Sequence, residues 1–339
     1  MTVKTAMSNA ALLAASVLLT APIATTVAAQ SRSTIQIAGS STVLPFASIV
    51  AEEFGQFFPE FDTPVVGSGG SGGGLRQFCQ GVGPSTIDIA NASRAIKPAE
   101  IAACRANGVT DIREIRIGYD GIVFASRLDG PVFALEPRHI YAAIAANLPD
   151  GMAPPQLWSD IDPGLPEQRI LMAIPASNHG TREVFEERVI EAGCEAVMGA
   201  ELEDDGCLAL RQDTVIEISG DYTETLARLN ADGDTIGVFG LSFYDQNRDS
   251  LRVATIEGVT PSLETVASGE YLVSRPLFFY VKGAHLGVIP GIAEYTEFFL
   301  SDMMAGTGGR LEMAGLIPAP FDETMAVLTQ FQDGVSVGQ

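Results

Sequence analysis

The sequence predicts an α/β protein of two lobes with a cleft between them. Three observations carry this expectation. Short β-branched apolar segments alternate with helical periodicities along the chain, the pattern of a mostly parallel sheet covered by helices. Glycines and hydroxyl residues gather at several joints between a strand and the helix after it. The chain is also read as crossing between lobes twice, near 121–126 and on its return near 275–281, which makes a hinge with a cleft beside it. At 339 residues there is length for one large or two mid-sized domains with a real core.

The elements follow in order. Residues 35–38 form a strand bounded by Gly39. Leu44, Phe46, Ile49, Val50, Phe54 and Phe57 then recur at helical spacing up to Pro59. Val65 and Val66 make a second short strand, the glycine-rich stretch 67–74 follows, and 75–80 is a short helix. A third strand over 87–90 and a helix over 98–107 come next, then two separate strands at 115–117 and 122–125. Helices are expected over 137–147 and 181–192, the latter fed by a strand at 169–174. A helix at 223–232, strands at 235–239 and 277–281, and closing helices at 292–300 and 321–331 complete the chain. The lobes are expected to comprise residues 30–125 plus 276–339, and residues 126–275.

The first 29 residues read as an address. Lys4 is the only charge before Arg32, an apolar run from Ala10 to Leu19 follows, and Val27, Ala28 and Ala29 make a small-residue cleavage pattern before Gln30. The run is short of the roughly 20 apolar residues of a membrane span. The mature protein is therefore expected to be exported, to the periplasm. The full chain's 42 acidic residues against 20 basic ones give a net charge of −22. Such a surface repels phosphate backbones and anionic membranes, which excludes nucleic-acid binding. Four cysteines, an even count in an exported chain, suggest disulfides. Three pairings exist, and the short loops favour Cys79–Cys104 with Cys194–Cys207. A zinc site is disfavoured by the missing C-x-x-C spacing and three scattered histidines.

The glycine-rich stretch fits several templates. Gly67, Gly69 and Gly72 match the dinucleotide fingerprint. Ser71 sits centrally in a G-x-S-x-G pattern, as the nucleophile of a secreted serine hydrolase would. A free Gly/Ser linker is disfavoured by the strand and helix on either side. The last reading is a cradle in which side-chain-free backbone N–H groups and a helix N-terminus meet a small anion. That reading gains from repetition. Residues 39–42 (GSST) and 178–182 (NHGTR) also lie between a strand and a helix and supply a glycine, hydroxyls and free N–H groups. Each alone is an ordinary cap; three together are better explained by one oxyanion held between lobes. Arg182 offers a fork of donors for it, with an i, i+4 pair to Glu186 as the competing role.

The chain resembles a known family, the phosphate-binding proteins of bacterial phosphate ABC transporters, a branch of the type II periplasmic binding proteins. The resemblance rests on 38–45 (AGSSTVLP), 67–77 (GSGGSGGGLRQ), 88–94 (DIANASR), 119–122 (YDGI), 180–183 (GTRE) and 275–280 (RPLFFY). It implies a Venus-flytrap fold that buries phosphate at the hinge and delivers it to a membrane permease, with no cofactor and no catalysis, as a monomer. Carried over by motif, Ser41, Thr42, Ser71, Ser93, Arg94, Gly180, Thr181 and Arg182 would line the site. One branch of the family has an acceptor Asp where Arg94 stands here, so another carboxylate must take the proton that phosphate donates. Asp120, beside the hinge crossing, is the candidate by position, with a plain turn residue as its alternative. Another oxyanion such as sulfate is the alternative ligand.

Overall fold

The computed structural model describes residues 1–2, 32–177, 180–199, 204–219 and 222–338. The leader reading over 1–29 and the Asn178–His179 part of the third junction lie outside the described residues. A compact unit spans Arg32–Gln339. Its strands are β1 (Gln36–Gly39), β2 (Val65–Ser68), β3 (Ile89–Ala92), β4 (Ile112–Arg127), β5 (Ala134–Leu135), β6 (Met172–Pro175), β7 (Val215–Ile218), β8 (Ile236–Gly240), β9 (Leu251–Val253), β10 (Thr255–Ile256) and β11 (Ser274–Lys282).

Among the described residues, nine of these strands form one sheet in the order β2-β1-β3-β11-β4-β8-β6-β7, with β9 also on β4; β5 and β10 pair separately. The sheet is mixed, which corrects the mostly parallel expectation. β1 is parallel to β2 and β3, but β11 runs antiparallel to both β3 and β4, and β4 is antiparallel to β8. Two of these antiparallel pairs come from the late strand, which returns from the far end of the chain and inserts between β3 and β4 against the direction of its neighbours.

The strands expected at 115–117 and 122–125 are one strand of 16 residues. The strand continues through the glycines with an irregularity: opposite Leu277 and Phe278 the register shifts by one residue at Ile117. Gly118 has φ +140°, and a Cβ there would sit 2.6 Å from the Ile317 carbonyl oxygen. Its missing side chain lets Ile317 bridge Tyr119 through two backbone hydrogen bonds. β4 thereby joins the two halves of the sheet: its first part pairs with β11 and its second with β8 and β9.

Side chains alternate across the sheet with the strand period of two. On β11, Leu277, Phe279 and Val281 join a core with Ile37, Val50, Phe54 and Ile117. Phe278 and Tyr280 face the opposite side, with Leu75, Phe78 and Ala90. A third core gathers Ile122, Phe124, Ile140, Trp158, Ile174 and Phe239 around the other half. Both expected disulfides are present, Cys79–Cys104 and Cys194–Cys207.

Candidate functional site

The first two strand–helix junctions form, and of the third the described part starts a helix at Gly180. At the first, Ser40 does the capping. Its Oγ accepts from the N–H groups of Thr42 (3.2 Å) and Val43 (3.4 Å), and its carbonyl accepts from Leu44 N. Ser41 is exposed; Thr42 is buried.

At the second junction the helix Gly70–Phe78 begins inside the glycine run, five residues earlier than the periodicity predicts. A helical glycine costs about 1 kcal/mol against alanine, so packing must favour it. Gly74 abuts the Gly39 backbone, and a Cβ there would lie 2.7 Å from the Ala38 carbonyl oxygen. The close approach holds Ser71 against β3. Ser71 Oγ accepts from Ser93 N and shares a hydrogen bond with Ser93 Oγ, both at 3.1 Å, with both residues buried. Ser71 thus faces a second serine. His139 sits against Glu136 N and Asp162, and His285 against Asp88 and Gly83 N.

Arg94 grips Glu100 through two hydrogen bonds of 2.9 and 2.8 Å, and that carboxylate pushes its pKa up. Its guanidinium lies near Gly72, where a Cβ would be 3.7 Å from Nη2.

The third junction starts a helix at Gly180–Phe185, which continues as a π-helical stretch, Glu186–Glu191, and an α-helix, Ala192–Met198. Thr181 Oγ1 accepts from the Tyr222 hydroxyl at 3.3 Å. Arg182 is placed elsewhere: it donates to the Pro175 carbonyl (2.9 Å), Glu186 (2.7 Å) and Glu217 (2.6 Å). It has the i, i+4 pair anticipated as its competing role, together with a clamp on the end of β6.

The buried cation that meets these junctions is Arg275, which the motif reading quoted but gave no role. It stands directly opposite Asp120 in the β11–β4 register, so both side chains leave the sheet on one face. Arg275 is 3% exposed and Asp120 7%. Arg275 Nη2 donates to Thr42 Oγ1 at 3.0 Å and to Glu183 Oε2 at 3.3 Å, and Nη1 donates to Glu187 Oε2 at 3.2 Å. Thr42 Oγ1 in turn donates to Glu183 Oε2 at 3.0 Å. One guanidinium therefore ties the first junction, the third junction's helix and the strand crossing together.

Its Nε lies 3.6 Å from Asp120 Oδ2, outside hydrogen-bond reach. Among the described residues neither atom has a hydrogen-bond partner. Burial pushes the Asp120 carboxyl above the ordinary carboxylate range; Arg275 opposes this and Glu183 adds to it. Buried polar atoms without partners are rare and call for an explanation such as a ligand. A donor and an acceptor side by side suit an oxyanion that still carries a proton, because such an ion can accept from Nε and donate to Oδ2.

A cavity of about 210 Å³ opens beside this pair. Thr42, Asp120 and Thr181 line it, so three of the nine predicted residues converge there, with Tyr222 and Ser242 beside them. Sequence reasoning missed Arg275, Tyr222, Glu183 and Glu187. The available signal was a cation heading an otherwise apolar strand at the second crossing, followed by a Glu pair at i, i+4 one turn into the third junction's helix.

The PBP superfamily domain matches residues 24–303 of the chain. Protein SphX of Synechococcus elongatus is 28% identical over 312 residues, covering 90% of this chain and 83% of that protein. Phosphate-binding protein PstS of Staphylococcus epidermidis is 27% identical over 300 residues, covering 87% and 82%. Among solved structures, a possible phosphate binding protein from Planctomyces limnophilus matches with a TM-score of 0.68 at 26% identity, covering 89% of this chain and 99% of that one. The fold is that of the type II periplasmic binding proteins, and the chain belongs to the PBP superfamily.

Proposed function

We propose that this is an exported substrate-binding protein that captures inorganic phosphate in the cleft and hands it to the membrane permease of an ABC importer. The observation that carries the reading is the buried pair of Asp120 Oδ2, whose residue lines the cavity, and Arg275 Nε 3.6 Å from it, each without a hydrogen-bond partner among the described residues. Monoprotonated phosphate supplies both an acceptor and a donor to such a pair, whereas sulfate has no proton to give Asp120. Thr42 and Thr181 bring hydroxyls to the cavity lining, and Gly180 and the Ser71–Ser93 pair with Arg94 would join the site as the family resemblance implies. Arg182 orders the third junction from behind. The lobes are residues 30–125 plus 276–339, and residues 126–275, with the Asp120–Arg275 pair at the crossing. Among the described residues no helix is long and apolar enough to cross a membrane, in keeping with export after cleavage before Gln30. Of the three histidines that could have served Ser71 as a base, His139 and His285 are engaged with Glu136 and Asp88 and His179 lies outside the described residues; the pairing of Ser71 with Ser93 supports a binding role without turnover.

The test is titration of ligand-stripped protein with phosphate, arsenate and sulfate, read by calorimetry and by melting temperature. A ligand at 1,000 times its Kd stabilises the folded state by about 4.1 kcal/mol, so phosphate should raise the melting point by several degrees. No response to any of the three would refute the reading, and labelling of Ser71 by a fluorophosphonate would replace it with a hydrolase.

A further inference from the structure

The phosphate reading asks one proton of the ligand, for Asp120. The charged side chains that line the cavity, among the described residues, are two carboxylates, Asp120 and Glu312. Glu312 belongs to the short helix Arg310–Met313, and the segment after that helix is fastened to the strand of Asp120. Ile317 exchanges backbone hydrogen bonds of 2.8 and 2.9 Å with Tyr119, the neighbour of Asp120. The Leu316 carbonyl accepts from Ser242 Oγ at 3.3 Å.

Hydroxyl protons on the lining are committed within the protein. Thr42 Oγ1 donates to Glu183 Oε2 at 3.0 Å, the Tyr222 hydroxyl to Thr181 Oγ1 at 3.3 Å, and Ser242 Oγ to Leu316. Asp120 Oδ2 has no hydrogen-bond partner among the described residues. Glu312 Oε2 accepts from Gly308 N, and an ionised carboxylate has further lone pairs for a ligand's proton. Gln246 adds an amide that gives as well as takes. The lining side chains therefore offer a ligand more acceptors than donors. The charges around them do not reverse this. Arg275 and Glu183 face Asp120 from β11 and the third junction's helix, with Tyr222 beside it. Arg275 also serves Glu183 and Glu187. On the helix of Glu312, Arg310 is held by Glu53 at 2.8 Å.

A doubly charged phosphate has a single O–H, and its second charge is repelled by both carboxylates. Dihydrogen phosphate carries one charge less and brings a second O–H. Resting on the phosphate reading of this site, we propose that the cleft takes phosphate in its singly charged dihydrogen form, with Glu312 as the second proton acceptor beside Asp120. Above neutral pH the free ligand is chiefly the dianion, so each capture draws one proton from the solvent. The affinity for total phosphate then falls about tenfold for each pH unit above the ligand's second ionisation, by proton linkage.

The test is calorimetric titration of the full mature chain, stripped of ligand, with inorganic phosphate from about pH 6 to about pH 8.5. Buffers of different ionisation enthalpy count the protons taken up. The wild type should take up about one proton per phosphate at the alkaline end and bind at least tenfold more weakly there than at the acid end. Glu312→Gln can turn an amide donor toward the dianion. It should bind phosphate about tenfold more tightly than the wild type at the alkaline end, with the uptake lost. Equal wild-type affinity across the range without uptake would overturn the proposal and leave the phosphate reading standing. Uptake that survives in Glu312→Gln would overturn Glu312 as the acceptor. Should that variant fail to fold, the wild-type proton count still decides. If phosphate binds at no pH, both readings fall.

Discussion

Replacing Arg275 by methionine keeps most of the side chain's volume and removes its charge. The guanidinium is 2% exposed and meets three carboxylates and one hydroxyl. Removing one partner of a buried ion pair costs about 3–5 kcal/mol. Here the cost belongs at the lower end. The side chains of Glu183 and Glu187 are 48% and 46% exposed and can return to water, and only Asp120, 9% exposed, stays buried. We expect a loss of about 3 kcal/mol at neutral pH, read as a fall of about 1 M in the urea midpoint for a slope near 3 kcal/mol per M. The same variant loses the charge-assisted hydrogen bond to phosphate, about 1.5–3 kcal/mol, or roughly one to two powers of ten in Kd.

The sign of the pH dependence separates this from a simple packing defect. Burial already holds the Asp120 carboxyl above its ordinary value of 3.8, and Arg275 is what draws it back down. Without Arg275 the folded-state value rises further. The folded protein then binds a proton that the unfolded chain lacks between 3.8 and the raised value, so the variant's stability falls as pH rises through that window. The difference between wild type and variant should be larger at pH 8 than at pH 5. A midpoint within 0.2 M of wild type, or a difference independent of pH, would refute the placement of Arg275 as the buried counter-ion of Asp120.

Four further outcomes are expected. Asp120→Asn should weaken phosphate binding and gain on sulfate, since an amide can turn a donor toward the ligand; an unchanged ratio in competition titration places the acceptor elsewhere. Glu183→Gln should tighten phosphate binding several-fold, because its carboxylate occupies donors of Thr42 and Arg275 that an incoming anion needs; weaker binding would mean that Glu183 orders the site. Gly74→Ala should destabilise by more than 2 kcal/mol in denaturant titration, because the added methyl meets the Gly39 backbone; a neutral result would show that the helix can shift. Lys282, buried under Phe78, has its pKa pushed down to about 8, chiefly by burial, while Asp88 opposes the shift. The unfolded chain holds that proton up to 10.5, so this group makes stability rise between about pH 8 and 10.5, and Lys282→Met should flatten that part of the profile.

Much of the fold follows from local signals. The helix at Leu44–Phe57 ends where its apolar period meets Phe58 and Pro59, and both disulfides follow from loop length. The hydroxyl junctions are local as well, and of the residues the sequence picks from them Thr42 and Thr181 line the cavity while Ser71 pairs with Ser93. What escaped depends on register between distant strands. β4 looks interrupted at Gly118, and only the arrival of Ile317 explains why that glycine continues the strand. Arg182 looks like the anion's cation because it follows the Gly-Thr pair, yet the position after Thr181 points to Pro175 and Glu217.

Arg275 is the buried cation beside Asp120, set opposite it by the insertion of β11 between β3 and β4. That location has a mechanical consequence. On the proposed lobe division, β4 and β11 are the two strands on which the chain crosses, while Glu183 and Glu187 ride on the third junction's helix. A rotation about the crossing therefore changes the distance from Arg275 to Glu183 while leaving its distance to Asp120 fixed by strand register. An anion that displaces Glu183 from Thr42 and Arg275 breaks the contacts that tie that helix to the hinge and replaces them with its own. The proposed site then predicts that substitutions at Glu183 and Arg275 alter ligand affinity non-additively, since both act on the same contacts.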